Sequence, residues 1–148
     1  MRHIENWQKV IHTTNTAKGF YDYKKDLEMV KGMILELGGN TPGRENDDGV
    51  AALKRLLVDY ERCLIERKLL LAIGELVEAQ NELRTGHSPT EVYYHEGDPK
   101  PEGFGIELAD AVIRTLDIAA DSQLDMEYLM NEKHDFNVTR SYKHGRQF

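Results

Sequence analysis

The sequence LLLAIGELVEA fills residues 69–79, and IELADAVIR fills residues 106–114. Each of these apolar runs contains two acidic residues spaced three positions apart, namely Glu75, Glu78, Glu107 and Asp110. An i, i+3 spacing puts both carboxylates of a pair on one face of a helix. Ionised carboxylates among apolar residues are costly unless they are paired or bound to a metal. The two runs therefore predict two helices whose acidic faces meet.

The remaining chain also shows apolar residues in helical phase. The periodicity and the Gly and Pro positions predict helices at residues 4–18, 22–37, 49–84, 106–120 and 124–137. We therefore predict an all-α fold, a helical bundle of four to five helices in a single domain (1–148) that oligomerisation completes. The third helix is longer than usual, and we expect it to break or bend at Gly74. Its expected core residues are Leu53, Leu56, Leu57, Tyr60, Leu64, Leu71 and Leu76.

Residues 85–105 join the two acidic helices and contain three prolines and four glycines. A loop of about 20 residues inside a compact domain usually serves a function. This position suits a flap over a site formed by the two helices. Within the loop, residues 92–94 (VYY) are candidates for a short strand.

The amino-acid composition argues against some classes of binding partner and favours one cellular location. The net charge of −7 argues against nucleic-acid binding. No apolar run approaches the ~18 residues of a membrane span, so we expect no membrane partner. The lone Cys63 excludes an internal disulfide and is expected to be buried, which favours a cytoplasmic location.

The last 16 residues are basic, in contrast with the rest of the chain. Residues 133–148 contain four Lys or Arg residues and one acidic residue. Lys133 and Asn137 are four positions apart on the last helix, and Arg140 and Lys143 follow them. Arg and Lys suit phosphate oxygens. This segment is therefore either a phosphate-binding tail or an unstructured basic terminus.

Four carboxylates on facing helices offer oxygen ligands to a hard cation, for which Mg²⁺ is the first choice and Mn²⁺ the second. A di-iron site needs Glu-x-x-His on two helices, and neither acidic run has a His at that offset. The alternative is a structural bundle in which the acids are solvated or pair with Lys or Arg. Arg114, four residues after Asp110, either forms an ion pair along its own helix or contacts a phosphate beside the metal.

Together these residues resemble the MazG-like nucleoside triphosphate pyrophosphohydrolases of the all-α NTP pyrophosphatase superfamily. The resemblance lies in the E-x-x-E pair, a 28-residue spacer (residues 79–106), the E-x-x-D pair and the spaced basic tail. It covers residues 69–148 and, more loosely, the Lys-Gly-aromatic turn at residues 17–21. Residues 22–66 match no part of the family pattern and are expected to be an insertion or a helical extension. Asn81 and Arg146 depart from the pattern without removing a metal ligand.

The resemblance implies an enzyme that hydrolyses a nucleoside triphosphate to the monophosphate and pyrophosphate, and it leaves the base and sugar open. It implies metal ligation by the four acids, with Glu78 as a candidate to orient the attacking water. It implies phosphate binding by five side chains, namely Arg114, Lys133, Asn137, Arg140 and Lys143. We expect the base to stack on one or more of the aromatic residues Trp7, Phe20 and Tyr21. The resemblance also implies a homodimer or homotetramer. The alternative is a non-catalytic helical module that binds a nucleotide or a protein partner.

Overall fold

The computed structural model describes residues 3–39 and 48–141 of the chain. These residues form five helices and a two-stranded antiparallel hairpin: α1 (Ile4–Ala17), α2 (Tyr23–Gly39), α3 (Asp48–Arg84), β1 (Tyr93–Tyr94), β2 (Pro101–Glu102), α4 (Phe104–Asp121) and α5 (Met126–Val138). The predicted all-α fold is confirmed. Each helix boundary lies within about two residues of its expected position, because the apolar periodicity and the Gly positions mark the helix ends.

The packing of α3 against α4 is the centre of the molecule, and α1 covers α4 while α2 packs on α3. Three of the buried apolar side chains are alanines, Ala79 on α3 and Ala111 and Ala119 on α4. Small side chains let two helix backbones approach closely. The acidic residues that neighbour these alanines are thereby brought to the same interface.

Helix α3 runs without interruption for 37 residues, so the predicted break at Gly74 is wrong. A glycine in a helix interior costs only about 1 kcal/mol relative to alanine. The packing of the second half of α3 on α4 stabilises the helix and offsets that cost. None of the described helices combines the length and the apolar character needed to cross a bilayer.

The apolar stripe of α3 is mostly exposed, contrary to the predicted core. Leu56 is 64% exposed, and Leu53, Tyr60, Leu71 and Leu76 are also exposed. Cys63 is exposed as well, so its predicted burial is wrong. Helical periodicity identifies a face that avoids water but does not say what covers it. Within the described chain, α2 and α4 leave this face of α3 largely uncovered.

The segment between α3 and α4 is a loop that contains a short two-stranded hairpin. Tyr93 pairs with Glu102 and Tyr94 with Pro101, so the predicted strand is confirmed except at Val92. The hairpin leads directly into α4 through Gly103, whose φ of 128° favours glycine. A Cβ at Gly103 would lie 2.5 Å from the Glu91 carbonyl oxygen. This close approach fixes the hairpin against the start of α4.

Candidate metal centre

Three carboxylates converge where α3 faces the first turns of α4. Glu75, Glu78 and Glu107 each place one oxygen within 4.8 Å of the others, and we call this group the acidic triad. Glu75 is 7% exposed and Glu107 is 4% exposed, whereas Glu78 is exposed at the rim. The i, i+3 spacing on α3 turns Glu75 and Glu78 toward α4, as the sequence predicted.

Burial raises the pKa of Glu107 from 4.5 to about 7, with further contributions from a hydrogen bond to Glu75 and the charge of Glu78. The nearby Lys100 charge acts in the opposite direction and lowers it. Mutual repulsion among closely spaced carboxylates favours keeping one of them protonated. Glu107 therefore binds a proton more strongly than a free carboxylate does, and a cation bound at the triad would displace that proton.

The donor set of the acidic triad fits a hard divalent cation. Carboxylate oxygens are the ligands that Mg²⁺ and Mn²⁺ prefer. Mg²⁺ usually takes only one or two protein carboxylates and completes its octahedron with water and substrate phosphates. Since Glu78 is exposed, the triad is open on the side where such ligands would enter.

Asp110, the fourth predicted ligand, lies outside the acidic triad. It is half-buried on α4, one turn beyond Glu107, and lines a neighbouring cavity. Arg114 lines the same cavity and donates a short hydrogen bond from Nε to Oε1 of Glu75. Arg114 therefore pairs with a predicted metal ligand on α3, rather than with an acid along its own helix.

The cavity beside the acidic triad has a volume of about 490 Å³. It lies between α3, α4 and the turn that joins α1 to α2. Its walls combine aromatic rings with charged groups, including Phe20, Tyr21, Tyr23, Arg67, Lys68, Asp110 and Arg114. Phe20 and Tyr21 were predicted as stacking residues and lie in this wall, whereas the third candidate, Trp7, does not line it.

Ion pairs and hydrogen bonds hold the wall of this cavity in place. The Tyr21 hydroxyl donates to Asp117 at 2.7 Å, and His12 Nδ1 lies 3.2 Å from the other Asp117 oxygen. Burial and the Asp117 carboxylate raise the pKa of Tyr21 far above its ordinary value, so the phenol remains a donor. Lys68 Nζ lies 2.8 Å from Asp121 and 4.0 Å from the Tyr21 ring centroid.

The predicted phosphate-binding residues at the end of the chain lie apart from the acidic triad. Lys133, Asn137 and Arg140 are all exposed on or just after α5, which packs against α1. Lys133 Nζ lies 5.0 Å from the centroid of the Phe136 ring. In the described ranges, no hydrogen bond or ion pair joins these side chains to the triad. Lys143 lies outside the described residues.

Lys100 is a cation near the acidic triad that the sequence analysis missed. Its Nζ lies 2.9 Å from Glu102 Oε1, and its backbone N–H donates to Asp98 Oδ1 at 2.9 Å. The bond to Glu102, followed by the charges of Glu102, Glu107 and Asp110, raises the pKa of Lys100. The feature of the sequence that could have identified Lys100 is its position between two prolines, shortly before the second acidic helix.

No protein-family model matches this chain, and no curated protein or solved structure matches it.

Proposed function

We propose that this protein is a Mg²⁺-dependent nucleoside triphosphate pyrophosphohydrolase with a cytoplasmic role in nucleotide-pool housekeeping. The observation that carries the proposal is the acidic triad beside a cavity lined by aromatic and cationic side chains. Acids provide ligands for the cation, aromatic rings suit a base, and Arg and Lys suit phosphates. The sequence resemblance to MazG-like enzymes supports the same reaction.

In this proposal Glu75, Glu78 and Glu107 hold the cation, and Asp110, on the wall of the neighbouring cavity, would bind the same ion through a water or hold a second ion. When bound, Mg²⁺ neutralises phosphate oxygens and lowers the pKa of a bound water. We assign to the exposed Glu78 the orientation of the water that attacks the α-phosphorus. The bond between the α-phosphorus and the α,β-bridging oxygen breaks, which yields the monophosphate and pyrophosphate.

The base would occupy the cavity against Phe20 and Tyr21, because a cavity of about 490 Å³ is within the range of small-molecule sites and has room for a nucleoside. Arg114, on the cavity wall near the triad, would contact the phosphates. Lys133, Asn137, Arg140 and Lys143 remain proposed phosphate ligands. Since α5 lies apart from the triad in one chain, we propose that these residues act in an assembled oligomer.

A homodimer or homotetramer is part of the proposal, and the exposed apolar face of α3 supports it. Leu70 is 67% exposed and Val77 is 57% exposed, in addition to Leu56. Contiguous exposed apolar surface of this kind is typical of protein interfaces. Helix α5 likewise has no buried residue of its own, so a second copy would cover both surfaces.

A screen of common and modified NTPs and dNTPs, with Mg²⁺ and with EDTA, tests the proposed reaction by pyrophosphate release. We expect release that requires Mg²⁺ and is abolished by Glu78→Gln and by Asp110→Asn. Gln80→Ala, an exposed change on the same helix, is the matched control. Full activity in either acid variant, or no release from any triphosphate, would contradict the proposal.

The ion pair between Arg114 and Glu75 favours a second candidate, in which the acids serve structure or non-catalytic binding. A bundle held by such pairs needs no cation. A melting temperature that does not respond to Mg²⁺ would support a structural role. Calorimetric binding of a non-hydrolysable triphosphate without any pyrophosphate release would support a nucleotide-binding module instead.

A further inference from the structure

We propose that Arg114 couples cation binding to triphosphate binding by exchanging its partner. Without a cation, its guanidinium neutralises Glu75, and when a cation takes Glu75 the guanidinium turns to the substrate phosphates in the cavity. This inference rests on the proposed function, because it assumes that the acidic triad binds the cation and the cavity binds the triphosphate.

The position of Arg114 carries the first step. Its Nε donates to Glu75, which is a member of the acidic triad and almost buried. A cation at the triad would compete for the same carboxylate and would repel the guanidinium. Repulsion between charges a few ångströms apart is strong where water is partly excluded. Cation binding and the Arg114–Glu75 pair therefore oppose each other.

The surroundings of Arg114 determine where a released guanidinium goes. Asp117, one turn further along α4, already accepts a hydrogen bond from Tyr21 and faces His12. Asp110, one turn earlier, is a proposed cation ligand. Arg114 already lines the cavity, so its guanidinium can meet a phosphate bound there after it leaves Glu75. A guanidinium has five N–H donors in a planar fork that matches phosphate oxygens.

The exchange predicts cooperative binding in both directions. A phosphate that binds Arg114 removes the competitor for Glu75, so the triphosphate tightens cation binding. By linkage, the cation must tighten triphosphate binding by the same factor. We expect a factor of about five or more, which is the lower end of typical coupling between sites.

Arg114→Met tests the inference through Mn²⁺ titrations followed by electron paramagnetic resonance, with and without a non-hydrolysable triphosphate. We expect the variant alone to bind Mn²⁺ about fivefold more tightly than the wild type, because the competitor is gone. In the presence of Mn²⁺ it should bind the triphosphate at least about fivefold more weakly. A residue that only supported the fold would weaken both.

Arg62→Met is the matched control, since Arg62 is an exposed α3 residue that pairs with Asp59 and should leave both affinities unchanged. Arg114→Gln removes the charge but keeps a polar side chain, and it serves if the Met variant does not fold, with Mn²⁺ affinity again above wild type. Unchanged or weaker Mn²⁺ binding in the Arg114 variants would overturn the inference while leaving the proposed function intact. Wild-type protein that binds no Mn²⁺ would overturn both.

Discussion

The ionisation of Glu107 depends on its burial and on the two carboxylates beside it. Glu107 is 4% exposed, and one of its carboxylate oxygens lies close to oxygens of Glu75 and Glu78. Burial and the two neighbours raise its pKa to about 7, so the folded chain favours the protonated form. A group with a raised pKa contributes stability below its unfolded value of 4.5, and that stability is lost as the pH rises through about 7.

We therefore expect Mg²⁺ to raise the melting temperature more at pH 8 than at pH 6, because at the lower pH the cation must displace a proton. Glu107→Gln removes this ionisation. At pH 8 the metal-free variant should melt above the metal-free wild type, and added Mg²⁺ should change it little. Thermal melts of both proteins at both pH values, with EDTA or with Mg²⁺, measure these melting temperatures. An equal Mg²⁺ effect at the two pH values would contradict the assigned role of Glu107.

Lys100 gives a second prediction about a single side chain. Its ammonium is held by Glu102 and senses the charges of Glu107 and Asp110, so it would attract phosphates bound to a cation at the triad. Lys100→Ala should lower kcat/KM for the triphosphate about tenfold. Lys100→Arg should retain most activity because it keeps the charge. Steady-state pyrophosphate assays compare them, and wild-type kinetics in Lys100→Ala would remove this residue from the site.

The spacing of the acids predicted which residues meet, because helix geometry fixes the direction of side chains three positions apart. In the structure Glu75, Glu78 and Glu107 do meet, whereas Asp110, which the spacing placed with them, lies outside the triad. The partner of Arg114 was not predictable, since the choice between an acid on its own helix and one on α3 depends on tertiary packing. Lys100 was missed because a hairpin, rather than helical periodicity, positions it.

The hairpin between β1 and β2 controls the start of α4 and hence the position of Glu107. The Glu107 N–H donates to the Gly103 carbonyl at 3.1 Å, so the glycine at the end of the hairpin also begins the helix. Its φ of 128° and its approach to Glu91 leave no room for a side chain. A change in the backbone at Gly103 would therefore shift Glu107 and with it the acidic triad.

Gly103→Ala should lower the free energy of unfolding by about 1–3 kcal/mol, the usual cost of a strained backbone position. It should also weaken cation binding, because the first turn of α4 shifts. Gly105→Ala is the control, since nothing lies within 4 Å of its Cβ position and alanine favours a helix. Urea titrations of both variants measure the difference. Equal stability in the two would show that the hairpin does not hold the start of α4.

Helix positions were predictable from periodicity, whereas helix continuity and strand pairing were predictable only in part. Gly74 does not interrupt α3, since packing on α4 outweighs the propensity of one residue. The pairing of Tyr93 with Glu102 joins residues on either side of a six-residue connection (residues 95–100) that contains one glycine and one proline. Such pairing depends on contacts between distant residues, which local sequence patterns do not contain.

The molecule as a whole leaves much of its apolar surface exposed, and no large side chain in the described ranges is fully buried. A chain of 148 residues has enough length for a substantial core. The apolar faces of α3 and α5 are therefore expected to be covered in solution by a second copy. The sequence predicted the apolar stripe of α3 but could not separate a core within one chain from an interface between chains.

Leu56→Glu combined with Leu70→Glu should prevent assembly, because charged groups in an apolar interface lose their hydration without gaining partners. Light scattering after size-exclusion chromatography measures the mass. We expect a homodimer or homotetramer for the wild type and a smaller species for the variant. Gln80→Glu adds one negative charge on α3 as a control for charge alone. A wild-type monomer would contradict this part of the account.

The central claim is that acids from α3 and α4 share one divalent cation. Anomalous diffraction from crystals soaked in Mn²⁺ tests it most directly. We predict a peak within ~2.0–2.3 Å of carboxylate oxygens of the acidic triad, as expected for a small divalent ion, and no such peak in Glu75→Gln crystals. A wild-type map without density between α3 and α4, or with Mn²⁺ bound only elsewhere, would contradict the account.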